Sequence, residues 1–510
     1  MRPTLTPAPR HRDDILSALT EERFDLLVIG GGALGAATAW AAARSGARVA
    51  VVDRGDLAGA TSSASTKLLH GGLRYLAMGD VRLVREAHRE RWRNATVIAP
   101  HLVDPLTFIV PVFDGSRRAA LRLRAGVGAY GALSRWRDGR SGRVAPAAAG
   151  ARAPGLATER MTDAFAYHDH RTDDARLALS ALDAAAELGA VVGNHVEVVG
   201  LRTLAGQICG AELVDVRTGT PLAVTANTVV NAAGPWVDAV RRLEDPSATP
   251  SVRIAKGAHL LLEVDEPWSA AVTTILDDGR VSFAIPWQEQ LLLGTTDTPF
   301  DGDPATVAVE DADREQILRE AALSLRTETV DPARVRASFA GLRVLPLGDG
   351  ATSGARRETV ITRGPRGMLS VAGGKLTTWI AIGDRVAAQA VGDAGFLPRP
   401  AGPVPSAVQP IAFAAELAMR FPTVPDATRV RLLRRYGRDA AAILTAAGPA
   451  PTVIEGTDVL VAEAEHSVAR EWAITADDVI RRTGLWVHGD PAAAAREAIA
   501  AACAEPPRAG

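Results

Sequence analysis

Lysine is nearly missing from this chain. Of 57 basic residues in 510, only Lys67, Lys256 and Lys375 are lysine, and the other 54 are arginine. Where arginine has replaced lysine so widely, a surviving lysine marks a position that a planar guanidinium fork does not fill. Cysteine is scarce as well. Cys209 and Cys503 are the only two, which excludes a disulfide framework or a cysteine-rich metal site and favours a reducing, cytosolic compartment. Excess charge is absent: 57 bases against 59 acids leave −2, so no overall field points to nucleic acid, and none is expected as a partner. The remaining composition, 47% hydrophobic and 23% charged, is that of an ordinary globular chain. Its length corresponds to about three domains or subdomains. Residues 1–23 lack the apolar stretch of a signal peptide and read as a tail. The uncharged run Leu26–Ala43 has the length of a membrane span. It is interrupted by Gly30, Gly31, Gly32 and Gly35, so a strand, turn and helix are expected there, with no transmembrane helix.

The pattern along the chain is mixed. Asp25–Ile29 reads as a buried parallel strand, Leu34–Ser45 as a helix and Arg48–Val52 as a second strand, together a βαβ unit. Asp173–Leu188 reads as a helix, and Thr228–Asn231 and Met368–Val371 as short strands. The runs His259–Val264, Val281–Ile285 and Leu291–Leu293 alternate with turns and predict an antiparallel sheet. Pro398, Pro400, Pro403 and Pro405 mark a linker before an Ala-, Leu- and Arg-rich helical region.

Gly30-x-Gly32-x-x-Gly35 falls between the first strand and the helix, where a dinucleotide pyrophosphate would meet backbone amides at a helix N-terminus. Asp53 closes the second strand, placed to accept hydrogen bonds from adenosine ribose hydroxyls. These features imply a dinucleotide without deciding between FAD and NAD. The next stretch carries the discrimination: the Ser/Thr-rich run Thr61–Thr66, with Ser62 and Ser65, then Lys67 and His70-Gly71-Gly72, where backbone can approach a flat ring, then Arg74-Tyr75.

The stretch Gly59–Leu76 resembles the FAD-dependent glycerol-3-phosphate dehydrogenase family. The resemblance continues through Asp173-Asp-Ala-Arg176, Asn231-Ala-Ala-Gly234-Pro-Trp236, Lys256-Gly-Ala-His259 and Ile285-Pro-Trp287. Gly294-Thr-Thr-Asp297, Gly341-Leu-Arg343, Gly373-Gly374-Lys375-Leu376-Thr377-Thr378 and Arg481-Arg-Thr-Gly-Leu485 follow. It implies an α/β (α+β mixed) fold. A Rossmann-like FAD-binding domain (about 24–100, 160–250 and 340–395) is interleaved with an antiparallel-sheet substrate region (101–159 and 251–339), and an α-helical C-terminal domain spans 401–510. It implies FAD as cofactor and hydride transfer from C2 of sn-glycerol 3-phosphate to flavin N5. The product is dihydroxyacetone phosphate, and the electrons pass to a membrane quinone. A homodimer is compatible with it. For the residues it implies His259 as base, Arg74, Tyr75, Arg343 and Arg363 as phosphate ligands, and Lys375 as a positive charge beside the flavin. Three departures bear on the substrate. Val344 stands where the family has proline, Gly364-Pro365 follow Arg363, and Trp379-Ile380 replace a Tyr-Arg pair.

Other readings stay open at this stage: an oxidase that reduces oxygen, a flavoprotein for another phosphorylated alcohol, or a flavin-binding module without turnover. Residues 115–143 carry eight arginines against the single acid Asp138, interleaved with Leu121, Leu123, Val127, Tyr130, Leu133 and Trp136. That pattern suits peripheral contact with an anionic bilayer on the cytoplasmic face. His168 and His170 flank Asp169 without a further ligand cluster and read as a solvated turn, so no metal is expected.

Overall fold

The computed structural model describes residues 8–77, 79–113, 117–347, 359–397 and 399–489, together with 496–497, 499–500 and 503. Two sheets organise it. In the first, the apolar strand Arg23–Ile29 lies between Val49–Val52 and Pro221–Asn231, parallel to both. Val191–Gly193 extends the parallel set on one side and Leu369–Gly373 on the other, with Thr359–Arg363 antiparallel at that edge. A meander, Val196–Leu204 and Gln207–Asp215, continues antiparallel from Pro221–Asn231. Helix Ala33–Ser45 is buried on nearly every face because its side chains are mostly alanine, which lets helix Trp379–Val391 approach closely. A Cβ on Gly383 of that helix would stand 2.5 Å from Ala37.

The second sheet is centred on Val252–Leu262. That strand pairs antiparallel with Val335–Pro346 on one side and with Gln290–Gly294 and Thr298–Pro299 on the other. Val281–Trp287 and Ala270–Ile275 follow, then Val103–Val112, Asp163–Thr172 and Leu68–Leu69. The antiparallel expectation over 251–300 is met, except that Ala270–Ile275 joins Val103–Val112 in parallel. The sheet also recruits Asp163–Thr172 and Val335–Pro346 across the expected boundaries at 160 and 340. Their partners are fixed by long-range register, which a local hydrophobic pattern does not encode.

Two further expectations are corrected. Within the segment read as a tail, Arg12–Glu21 is a helix whose Ile15 and Leu19 are buried against Gly193. His168 and His170 lie on the strand Asp163–Thr172, not on a solvated turn. His170 is 2% exposed, because Arg91, Asp138 and Asp169 supply a buried polar surround. Much of the arginine-rich segment is the helix Arg117–Leu133, which packs Val127 and Tyr130 into the core with Phe108, Phe165 and Tyr167.

The C-terminal helices, Pro410–Arg420 through Ala476–Thr483, enclose a core of their own around Leu417, Leu432, Leu433 and Leu444. Among the described residues no helix is long and apolar enough to cross a membrane, and Leu26–Ala43 is the strand, turn and helix expected.

Candidate active site

A cavity of about 1430 Å³ runs between the two sheets. One end is built from backbone. Gly30, at φ +104°, turns the chain where a Cβ would meet the Ala232 carbonyl oxygen at 2.6 Å. At Gly35 a Cβ would stand 1.8 Å from the Gly30 carbonyl, so helix and strand touch there as the fingerprint requires. The Asp53 carboxylate accepts from Gly31 N at 2.7 Å and from Gly55 N at 2.9 Å, binding the ribose-side loop to the fingerprint. Burial raises its pKa above the usual carboxylate value, against the pull of those two N–H groups. The Ser62 hydroxyl accepts from Ala33 N at 2.8 Å, at the helix N-terminus where anions are favoured. Arg54 stacks 5.3 Å over the Trp236 ring and frames the far wall.

The middle of the cavity is lined by Gly373, Gly374, Lys375, Leu376 and Thr377 facing His70 and Gly72. Thr377 and His70 are joined twice: His70 N donates to Thr377 Oγ1, and Thr377 Oγ1 donates to the His70 carbonyl, both at 3.1 Å. Behind them Gly71 N donates to Asp169 Oδ1 at 3.1 Å, and Tyr130 and Arg91 hold that carboxylate. Gly71 has no room for a side chain, since a Cβ would sit 2.6 Å from both His88 and Tyr130. The Lys375 ammonium lies 3.5 Å from the Tyr75 ring centroid.

The other end is built from side chains. His259 is 1% exposed and stacks on Phe339 at 4.8 Å, with Nε2 3.0 Å from Thr66 Oγ1. Burial, and then the charges of Arg343 and Lys67, hold its pKa well below the ordinary histidine value, so the ring is neutral. Among the described residues its Nδ1 has no hydrogen-bond partner. Arg343 lies over Gly257, donating Nη2 to Thr295 Oγ1 at 2.7 Å and Nη1 to the Thr296 carbonyl at 3.0 Å and Asp297 Oδ1 at 3.2 Å. Thr296 is held in turn by Ala258 N, and Lys256 pairs with Asp313 and Glu310 at 2.8 Å behind the same strand. The same cavity is lined by the apolar side chains of Phe108, Val110, Phe283 and Ile275, and by Leu123 and Val127 of helix Arg117–Leu133.

A cradle of backbone amides where no Cβ fits, followed by a ring-sized slot between glycines, suits a flavin dinucleotide. A family model described as FAD dependent oxidoreductase matches residues 25–389. Glycerol-3-phosphate dehydrogenase 2 of Mycobacterium tuberculosis is 33% identical over 500 residues, 94% of this chain and 84% of that protein. Aerobic glycerol-3-phosphate dehydrogenase of Staphylococcus haemolyticus is 33% identical over 72% of this chain and 67% of its own length. The crystal structure of the glycerol-3-phosphate dehydrogenase from Bacillus halodurans complexed with FAD superposes with a TM-score of 0.73. It is 27% identical and covers 94% of this chain and 89% of that one. This chain belongs to the FAD-dependent glycerol-3-phosphate dehydrogenase family.

The cofactor is therefore FAD, and most residues expected to hold it in this dehydrogenase family line the cavity. Gly30, Gly32, Asp53, Thr61 and Ser62 are at the adenosine and pyrophosphate end. Ser65, His70, Gly72, Gly234 and the run Gly373–Thr377 also line it. Tyr75, His259 and Arg343, the residues expected to meet the substrate, line it too. Gly35 and Gly71 act one layer back, by packing.

Two expected residues stand elsewhere. Lys67 is not a cavity residue: with φ +60° it turns inward, 2% exposed, and gives its ammonium to Asp174 Oδ1 and the Ser63 carbonyl at 2.5 Å. It fixes the Ser/Thr loop from behind. Arg363 does not line the cavity either. It sits on the edge strand Thr359–Arg363, exposed, and donates to the Gly367 and Gln389 carbonyls. The side chain of Arg74 lies outside the described residues. Sequence reading missed Thr66, Asp169 and Asp297. The motif Gly294-Thr-Thr-Asp297 was visible, but only the fold shows that it grips Arg343.

Proposed function

We propose that this protein oxidises sn-glycerol 3-phosphate to dihydroxyacetone phosphate and passes the electrons to a membrane quinone. The observation that carries the reading is a buried, neutral His259 beside Arg343, in the same cavity as the FAD cradle. Bound FAD supplies the two-electron acceptor for the hydride that leaves C2. The chain supplies the rest. Arg343, its fork oriented by Thr295 and Asp297, presents a guanidinium to the phosphate dianion, and the Lys375 ammonium and Tyr75 hydroxyl are further donors. His259 takes the C2 hydroxyl proton. Thr66 at Nε2 and the stacked Phe339 ring fix the plane of the imidazole. Lys375 brings positive charge to the cofactor's side of the cavity.

Two features support a membrane quinone as acceptor. The apolar side chains of Phe108, Val110, Leu123, Val127 and Phe283 on the cavity wall suit a lipophilic ring. The helix that carries Leu123 and Val127 exposes Leu121, Arg122 and Arg124, a pattern suited to anionic lipid at the cytoplasmic face. Neutralising Arg122 and Arg124 should reduce co-flotation with anionic liposomes, and unchanged flotation sinks that contact.

The deciding experiment is an anaerobic titration of the yellow protein with sn-glycerol 3-phosphate, followed by visible flavin absorbance. Bleaching at one equivalent is expected. A spectrum that does not move overturns the substrate. Bleaching followed by one peroxide per turnover in air, with no quinone reduction, overturns the acceptor alone.

A further inference from the structure

The motif Arg481-Arg-Thr-Gly-Leu485 takes no part in the chemistry above, yet it reaches the cofactor cavity. Helix Ala476–Thr483 starts on a capping box between Thr475 and Asp478, which fixes its direction. It aims two consecutive arginines at one carboxylate. Arg482, 1% exposed, gives Nη1 to Asp56 Oδ2 at 2.7 Å and places Nη2 2.6 Å from Asp56 Oδ1. Arg481 donates Nε to Asp56 Oδ2 at 3.0 Å. Asp56 lies three residues past Asp53, so one short loop is held by the fingerprint at one end and by the helical domain at the other. A second tie runs beside it. His195 N donates to the Gly55 carbonyl at 2.9 Å, and its Nε2 lies 3.1 Å from Asp478. Asp56, His195 and Asp478 are close enough to share an ion, but two guanidiniums already engage Asp56, which makes the cluster an ion-pair network.

Arg481 also lines the cavity, together with Asp53, Arg54 and Gly55. Its Nε is committed to Asp56, while its Nη groups make no hydrogen bond to a described residue. This is the end where the adenosine diphosphate half of FAD belongs, and a guanidinium offers paired donors suited to phosphate or ribose oxygens.

We propose that the helical domain completes the FAD site: Arg481 binds the adenosine diphosphate half, and Asp56 couples docking of the helical domain to cofactor binding. Because coupling between two binding events is reciprocal, FAD holds the domain in place to the same degree that the docked domain tightens FAD.

The test uses the full-length chain, stripped of FAD and reloaded. The Kd for FAD is read by quenching of flavin fluorescence, and amide exchange is followed over 471–485 with and without FAD. Arg481→Met should weaken FAD about 10- to 100-fold, the range for losing a hydrogen bond to a charged group. FAD should slow exchange over 471–485 in the wild type. Glu471→Gln, which loosens the Arg176–Glu471 bridge between the same two regions but keeps the Glu471 carbonyl that accepts from Arg482 Nε, should weaken FAD as well. Arg481→Met that binds FAD like the wild type overturns the direct contact. Exchange over 471–485 that ignores FAD overturns the coupling. Asp56→Asn risks the fold, so the judgement rests on the partly exposed Arg481, with circular dichroism confirming the variant is native.

Discussion

The two ends of the cavity are made by opposite means. At the adenosine end the ligand meets backbone: Gly30, Gly32 and the amides around Ala33 come from one continuous stretch, and a carboxylate on the next strand ties it off. At the substrate end the surface is side chain. Thr66, His259, Thr295 to Asp297, Arg343 and Lys375 come from segments far apart in sequence, and the register of Val252–Leu262 with its neighbours brings His259, Thr295 to Asp297 and Arg343 together. The first kind of site tolerates changes of side chain around it but not an added Cβ. The second tolerates small shifts of backbone but not a change of functional group.

The sharpest break of this contrast is Gly30→Ala. With φ +104° and a carbonyl 2.6 Å from the new Cβ, the variant should purify without flavin, read as the loss of visible absorbance relative to 280 nm. A yellow variant with normal flavin content would sink the backbone account. Next in size are changes at the other end that keep the flavin. His259→Asn should slow anaerobic flavin reduction by about 10²- to 10⁴-fold, the usual worth of a general base. Arg343→Lys, which has no fork to span Thr295 and Asp297, should cost about 30- to 1000-fold in kcat/KM. Because burial and nearby cations keep the wild-type ring neutral, the acid limb due to His259 should fall below pH 6.5. A limb above that value argues for another base.

A smaller effect concerns stability. His88, under the His70–Gly72 turn, and His101, against the helical domain at Gly437, are each lowered to about 3 by burial. Between about 6.5 and 3 the unfolded chain binds protons that the folded chain refuses, so stability should fall as pH drops through that window, by several kcal/mol in sum. Urea midpoints at pH 7, 5.5 and 4.5 measure it, and a flat series contradicts the burial of these rings. The smallest effect is Arg363→Ala, which should leave kcat/KM within about two-fold and stability within about 0.5 kcal/mol, since it touches only two surface carbonyls.

The adenosine end was legible in the sequence because its determinants are local. A strand, three glycines, a helix and Asp53 at fixed spacing leave few other ways to fold. The substrate end was legible by residue type and less so by position. Arg343 and Arg363 look alike beside their glycines, and only strand pairing decides between them: one faces Asp297, the other lies on an edge and bonds across to Gln389. Lys67 follows a polar run that lines the cavity, yet a single residue with positive φ sends it to Asp174. His168 and His170 sit in the second half of a strand whose buried positions there, Asp169, His170 and Thr172, are polar, which defeats hydrophobic alternation as a signal. The scarcity of lysine proved informative in physical terms. All three lysines are buried, at 2%, 6% and 5% exposure, and each is held against carboxylates or an aromatic ring around the substrate end.

The passage between the two sheets has a consequence for the life of the protein. A hollow of about 1430 Å³, formed by segments from both sheets, exists only in the folded chain, so FAD bound there binds the folded form alone. A ligand that binds only the folded form stabilises it in proportion to the logarithm of its free concentration over Kd. The survival of this chain against proteolysis, and with it the amount a cell keeps, therefore follows the supply of flavin. A shortage of riboflavin should thin the population of the protein, beyond leaving part of it inactive.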